Sequence, residues 1–351
     1  MVLLIAGLVV FLLLRADNET WADKGVKSRV FYGEVIGDEL VPYFNTSCMV
    51  YDYSGMSDSE FSELCSKIED MTKKYHRLFD IYHSYEGVVN LYDVNNSAGG
   101  EAVAVSPELY DFLEFSKEMH GLTDGEVNIC SGAVLSLWHD ARQTALSGGG
   151  ATIPSGDAIA EAMKHVDISK LLLMDDYKVM LLDSEMSIDA GAIAKGYAVE
   201  RIAEWLIESG YTSIVLDFGG NLRAIGEKPS GNGWITGVID PDDQSNYIKR
   251  FEMKNISVVT SGDYQRYFTV DGQKYHHIID MESGYPSAGL SSVSVITRNS
   301  GIADALSTAL FCMEDAESVI AAAERISAEL GIELKLVIVD SEGVVTEYGF
   351  D

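Results

Sequence analysis

The sequence predicts an α+β fold, a two-lobed mixed α/β unit in which short hairpin strands alternate with amphipathic helices. Three observations carry this prediction. The chain of 351 residues is 47% apolar with only six prolines, a composition that supports a packed core and argues against disorder. Helix starts carry capping signals, and short apolar runs bounded by turn residues fall between the helices. No linker, fixed-period repeat or low-complexity tract divides the chain after residue 30, which favours one compact unit.

The elements follow in order. Val2–Leu14 is unbroken apolar or small sequence, closed by Arg15 and polar residues from Asp17. The run is shorter than the about 20 residues of a membrane span. It fits the h-region of a signal sequence or an N-terminal membrane anchor better, although the usual basic n-region is missing. A buried core helix is the alternative, since apolar residues cover every face. Residues 1–15 therefore read as signal or anchor, 16–30 as a polar tether, and 31–351 as the folded domain. The bulk of the protein is expected to be extracytoplasmic, tethered to the cell membrane or secreted.

Strand-like sequence begins near Val30 and continues through Met49-Val50-Tyr51. Ser57 and Glu60 have capping-box spacing, and Phe61, Leu64, Cys65, Ile68, Met71, Tyr75 and Leu78 follow at the helical period. Ser106 as N-cap with Pro107 behind it starts a second helix that stops near Gly121. Gly148–Gly150 marks a loop, and an amphipathic stretch runs from about Asp157 to His165. Leu171–Met174 and Tyr177–Leu182 flank Asp175-Asp176 as a hairpin, and a helix over Ala194–Ser209 is closed by Gly210. Strands are expected at Ser213–Asp217, Trp234–Val238, Ile256–Val259, Tyr275–Ile279 and Val293–Thr297. Helices near Asp304–Met313 and Ala316–Leu330 precede terminal strands at Leu334–Val339 and Val344–Tyr348.

Charge narrows the function classes. With 25 basic and 55 acidic residues the formal net charge is −30. Such a surface repels nucleic acid and anionic lipid, and no basic stretch offsets it, so nucleic-acid binding is set aside. A dinucleotide diphosphate substrate would need local compensation, which a divalent cation provides. Cys48, Cys65, Cys130 and Cys312 form no CxxC and no zinc spacing. They read as buried thiols, with one long-range disulfide left open.

Four segments are candidates for chemistry. Ser187–Gly196 is rich in small residues around Asp189 and Lys195. It reads either as a ligand-cradling loop at a helix start, with Lys195 as a point charge for phosphate, or as a plain tight turn. Asp217-Phe218-Gly219-Gly220-Asn221 reads first as a turn. Thr260-Ser261-Gly262-Asp263 precedes His276-His277-Ile278-Ile279-Asp280 and the turn Ser283–Pro286. Adjacent histidines on a strand face opposite ways, so at most one faces a site, and either can instead be a hydrogen-bonded structural residue. Asp304 and Thr308 share one helical face, with Ser307 beside them. Together they make a hard oxygen set suited to magnesium, unless the hydroxyls merely cap the helix.

In this order the four segments resemble the FAD:protein FMN transferase family, also called the ApbE-like family, over nearly all of the chain after about residue 40. The signature is the joint presence of Asp189…Ala194-Lys195-Gly196, Phe218-Gly219-Gly220, Thr260-Ser261-Gly262-Asp263, His277-Ile278-Ile279-Asp280 and Ala303-Asp304-Ala305-Leu306-Ser307-Thr308. The resemblance implies an ApbE-like catalytic domain that takes FAD as substrate and uses Mg2+. It implies magnesium held by the Ala192 carbonyl, Asp304 and Thr308, with Ser307 a ligand in some members. Flavin contacts are implied at Asp189, Lys195, His277 and Ile278, with Phe44, Tyr82, Glu126, Val127 and Asn128 at further contact positions. The chain departs from the family at Val127-Asn128, where Phe then Asp is usual, and at Met281 and Ser283, where Pro and Thr are usual.

The activity implied is cleavage of FAD and transfer of FMN to a threonine or serine of an acceptor flavoprotein, with release of AMP. His277 is the candidate base, and Asp280 is a second catalytic candidate that orients it or acts elsewhere. Two rivals remain at this stage. One is an FAD pyrophosphatase with water as acceptor; the other is a non-enzymatic FAD-binding or delivery protein.

Overall fold

The computed structural model describes residues 26–350, so the apolar run at 2–14 and most of the expected tether lie outside the described residues. The first half runs β1 (Lys27–Phe31), β2 (Glu34–Ile36), β3 (Glu39–Val41), β4 (Cys48–Asp52), α1 (Asp58–Phe79), α2 (Leu91–Asn96), β5 (Val103–Ala104), α3 (Pro107–Leu122), α4 (Gly132–Leu146), α5 (Gly156–Ala162), β6 (Leu171–Met174), β7 (Lys178–Leu181) and α6 (Ala194–Glu208). The second half runs β8 (Ser213–Phe218), β9 (Asn221–Gly226), β10 (Trp234–Ile239), β11 (Tyr247–Met253), β12 (Ser257–Gly262), β13 (Tyr267–Val270), β14 (Gln273–His276), β15 (Leu290–Thr297), α7 (Ser300–Phe311), α8 (Ala316–Leu330), β16 (Lys335–Asp340) and β17 (Val345–Tyr348). The α+β class is the one the alternation of hairpins and helices predicts.

The centre is an eight-stranded sheet in the order β1-β4-β8-β9-β12-β15-β16-β17, antiparallel at each pairing. Its middle strands are buried on both faces, which is why they read as continuous apolar runs rather than alternations. In β8, Ile214, Leu216 and Phe218 enter a core shared with α1 and α6, while Val215 enters one on the opposite face with Trp234 and Met253 of the β10–β11 hairpin. In β12, Val259 joins the largest core and Val258 the opposite one. Helix α7 lies on β12 and β15 and crosses α6, which itself lies on β8 and β9. The two helices that carry the chemistry-bearing segments are thus fixed on one face of the sheet.

Capping signals act as their sequence predicts. Glu60 N–H donates to Ser57 Oγ at 3.3 Å and Ser57 N–H to Glu60 Oε2 at 2.7 Å, closing the box at the start of α1. Ser106 caps α3 with Pro107 in its first turn. Gly219-Gly220 is a two-residue hairpin between β8 and β9 with φ of 61° and 87°, the left-handed pair that glycine supplies without strain.

Four differences from expectation have physical causes. Residues Lys27–Val30, at the end of the expected tether, belong to β1, a polar strand at the sheet edge where only one side needs a partner. Helix α4 occupies a stretch that the sequence reading leaves unassigned. It buries only Gly132, Val134 and Trp138, too narrow a stripe to stand out. Strand β14 ends at His276 rather than Ile279, because the His276 ring bonds Ser287 O at 2.8 Å and takes the Ile278 N–H at 3.3 Å, turning the chain. Helix α7 starts at Ser300, one turn early, because Asn299 caps it through the Ile302 N–H. The four cysteines are free thiols. No described helix is long and apolar enough to cross a membrane.

Candidate active site

The site is built where α6 begins. Asn95 clamps the approach by accepting from Ile188 N–H at 2.7 Å and donating to Ile188 O at 2.9 Å. Asp189 follows, its N–H bonded to Ile129 O at 2.7 Å and its Oδ1 accepting from Gly191 N–H at 2.8 Å. Ala192 then presents its carbonyl, and α6 starts at Ala194. The N–H of Gly196, in the first turn, has no partner within its own helix. It donates to Asp304 Oδ2 of α7 at 2.7 Å. The Asp304 carboxylate therefore sits at the positive end of α6. This approach requires glycine, since a Cβ at position 196 would lie 2.3 Å from Ser300 O and 2.4 Å from Asp304 Cβ.

Around Asp304 the polar atoms converge. Lys195 Nζ stands 3.4 Å from both carboxylate oxygens. Thr308 Oγ1 is 3.5 Å from Ala192 O, and Ser261 Oγ of β12 lies 3.3 Å from Thr308 Oγ1 and 2.9 Å from Ser307 Oγ. Because Asn299 caps α7, neither Ser307 nor Thr308 is needed as a cap. Asp304 is 3% exposed. Burial raises its pKa, and Lys195 and the Gly196 N–H only partly counter this. A carboxylate left under-compensated, beside a backbone carbonyl and a hydroxyl, is an all-oxygen donor set that fits a hard divalent cation. Ser307 is turned away from that role, since its hydroxyl donates to Asp304 O at 3.0 Å and meets Ser261.

The histidines separate cleanly. His276 is buried and structural. His277 reaches solvent, yet it is so crowded by protein and by the charges of Arg266, His276, Arg142 and Lys195 that its pKa falls to about 3, burial being the largest cause. Its imidazole is neutral at physiological pH. Asp280 does not orient it. The Asp280 carboxylate accepts from Glu282 N–H at 2.8 Å and Ser283 N–H at 3.3 Å, holding the turn that precedes Pro286. Ile278 packs into the largest core, and its backbone is engaged as well, the N–H with His276 Nδ1 at 3.3 Å and the carbonyl with Ser287 N–H at 3.1 Å.

The remaining flavin-contact candidates fall into two groups. Tyr82 is 54% exposed, its ring 6.0 Å from that of His139, with Asp189 close enough to raise the pKa of its phenol beyond the effect of burial. Buried Asp80 orders the Tyr82 loop through Tyr82 N–H at 2.7 Å and Tyr85 Oη at 2.6 Å. Phe44 is held at φ 51° by His76, whose Nδ1 takes the Phe44 N–H at 3.3 Å. In the other group, Val127 is 1% exposed in the core, and both ends of the Asn128 amide are engaged, with Val166 O at 2.6 Å and Cys130 N–H at 2.9 Å. Glu126 lies beside Asp280, Glu282 and Asp124. Burial first and those charges second raise its pKa to about 7.

A family model described as the ApbE family matches residues 45–330. The chain belongs to the ApbE family. The ApbE proteins it resembles include a FAD:protein FMN transferase from Klebsiella pneumoniae (strain 342), 30% identical over 71% of this chain and 75% of that protein. Another, from Treponema pallidum (strain Nichols), is 30% identical over 78% of this chain and 77% of its own. The crystal structure of the ApbE protein from Thermotoga maritima superposes with a TM-score of 0.77 at 29% identity, covering 92% of this chain and 96% of that one. The apo flavinyl transferase ApbE of Pseudomonas stutzeri shares the fold, with a TM-score of 0.71 at 24% identity over 92% and 95% of the two chains.

Within this ApbE fold the structure gathers Ala192, Lys195, Asp304, Ser307 and Thr308 at one point, with Asp189 one turn away along the same loop. Tyr82 and His277 lie alongside: Arg142 acts on both rings, Asp189 on the Tyr82 phenol and Lys195 on the His277 imidazole. Three residues that the sequence reading does not single out also belong here. Ser261 was visible only as part of a motif, and Arg142 and Arg266 carry no motif at all.

Proposed function

We propose that this chain is a FAD:protein FMN transferase that attaches FMN through a phosphoester to a threonine or serine of an acceptor flavoprotein and releases AMP. The single observation that carries the reading is the convergence of Ala192 O, Asp304 and Thr308 Oγ1 from two distant segments, with Lys195 and a neutral His277 near. Family membership and relatives that bear this name support it.

Ala192, Asp304 and Thr308 would hold magnesium, which when bound neutralises charge on phosphoryl oxygens. Ser261, itself bonded to Ser307, fixes the Thr308 hydroxyl, and Lys195 adds a positive charge for a phosphate oxygen. The acceptor hydroxyl attacks the FMN phosphorus, the bond from that phosphorus to the bridging oxygen breaks, and AMP leaves with the oxygen. His277 takes the hydroxyl proton. Burial is the largest cause of its low pKa and the surrounding cations add to it, so an anionic diphosphate alongside offsets the cations' share and raises it. Asp189 and Tyr82 border the space for the flavin. The apolar run at Val2–Leu14 supports an extracytoplasmic location and a membrane-bound or secreted acceptor.

The test is incubation with FAD, MgCl2 and a candidate acceptor, followed by intact-protein mass analysis. The acceptor is expected to gain the mass of FMN less water, and Asp304→Ala is expected to lower the rate at least about 100-fold. Free FMN with an unmodified acceptor would make the chain a pyrophosphatase. FAD left intact would make it a binding protein.

A further inference from the structure

Two guanidiniums stand beside the same site without a carboxylate partner. Arg142 lies on α4, three positions after His139, so it shares the face that meets Tyr82. Its Nε is buried and has no hydrogen-bond partner among the described residues. Arg266, in the turn after β12, donates to Asn45 O at 3.3 Å. That carbonyl is aimed by two consecutive left-handed residues, Phe44 at φ 51° and Asn45 at φ 55°, a conformation that costs energy outside glycine and clusters at ligand sites.

Arg142 is half-buried and Arg266 reaches solvent, yet crowding by protein lowers the pKa of both, Arg142 lowers that of Arg266 further, and the Tyr82 phenol opposes the shift in each. Neither forms an ion pair among the described residues. In a chain of net charge −30, carboxylates are plentiful, yet these two cations are held close enough to repel each other and to depress His277. Arg142, half-buried with an unpartnered Nε and a second cation beside it, carries a cost that an anion would remove. Their planar forks match phosphate oxygens in pairs.

We infer that Arg142 and Arg266 form an anion seat that grips a phosphoryl group of the dinucleotide on the Tyr82–His277 side of the site, separate from the Asp304 oxygens. The identity of the anion rests on the transferase reading; the seat itself rests on the arginines. At the seat the charge of that one phosphoryl group is balanced without a metal, and the other phosphoryl group is left to the Asp304 side.

The experiment is calorimetric titration of FAD, ADP and riboflavin into wild type, Arg142→Gln, Arg266→Gln and Arg142→Lys at fixed magnesium, with thermal melts reporting each fold. FAD and ADP are expected to weaken about 10- to 100-fold in each glutamine variant. Riboflavin, which has no phosphate, is expected to bind as in wild type, and Arg142→Lys to recover part of the loss. Unchanged FAD affinity in both glutamine variants would overturn the seat and leave the transferase reading standing. A parallel loss of riboflavin would overturn it as well, because the arginines would then be packing residues. Wild type that binds ADP in an arginine-dependent way but not FAD would sink the transferase reading alone.

Discussion

Three aspartates carry raised pKa values for the same first cause, burial, and their surroundings give them different fates. Asp304 has Lys195 and the α6 N-terminus against it, and Asp189 has the Gly191 N–H. Asp217 has neither a cation nor a helix end. It is 2% exposed in β8, bonded only to Gly220 N–H at 2.9 Å, and its pKa rises to about 6 from an ordinary 3.8. The sign follows from proton counting. Below about pH 4 the folded and unfolded chains both hold this proton and the group has no effect. Between there and about pH 6 the fold keeps a proton the unfolded chain has released, so stability falls as pH rises. Above pH 6 the full penalty remains, of order 3 kcal/mol for a shift of this size. Asp217→Asn keeps the acceptor for Gly220 and removes the charge. In urea unfolding it is expected to match wild type near pH 4 and to exceed it by roughly 2–4 kcal/mol at pH 8. A difference that does not grow across that window would show that Asp217 is not the buried ionising group.

The crossing of α6 and α7 decides whether the site exists at all. Gly196 lets the helices touch, and Glu200, one turn on, accepts from Ser300 N–H at 2.6 Å while pairing with buried Arg223. Gly196→Ala adds an atom where backbone oxygen already lies, and is expected to destabilise by about 1–3 kcal/mol and to lower FMN transfer by moving Asp304. Gly121→Ala in α3 meets nothing within 4 Å and exchanges glycine for a better helix former, so it is expected to be neutral or stabilising by up to about 1 kcal/mol. Urea midpoints and transfer rates of the pair check this, and equal effects would mean the crossing has slack. The same elements explain what the sequence makes legible. The α1 and α3 caps, the β6–β7 hairpin and the α6 span are local signals, and the structure follows them within a residue or two. Asp304 and Thr308 were legible as one helical face, but their meeting with Ala192 only as a resemblance, because 116 positions separate Thr308 from Ala192 and no local rule spans that gap. Arg142 was hidden because α4 buries a narrow stripe. The engagement of Asn128 and Asp280 in turns was hidden because Asn and Asp side chains bond backbone wherever a turn offers an N–H or C=O.

For the molecule as a whole, on the proposed reading the net charge of −30 would make substrate and cation depend on each other. Among the described residues no three His, Cys, Asp or Glu side chains are grouped to hold a metal ion. The donor set at the α6–α7 crossing has one carboxylate and two neutral oxygens, so it is weak toward magnesium until phosphate oxygens join it. A dinucleotide without cation meets the Asp304 charge uncompensated. Each ligand must then raise the affinity of the other by the same factor. Both would also tie the Ala192 loop to α7 and so stabilise the fold by mass action, by about 2.7 kcal/mol when ligand reaches 100 times its Kd. In thermal melts, millimolar MgCl2 alone and FAD with a chelator alone are each expected to shift Tm by little. Together they are expected to raise it by several degrees, more than the sum of the separate shifts. Asp304→Ala is expected to keep the FAD-only shift, since the arginines and Tyr82 remain, and to lose the synergy. Simple additivity in wild type, with the same Tm response in Asp304→Ala, would show that magnesium and FAD do not meet at this crossing.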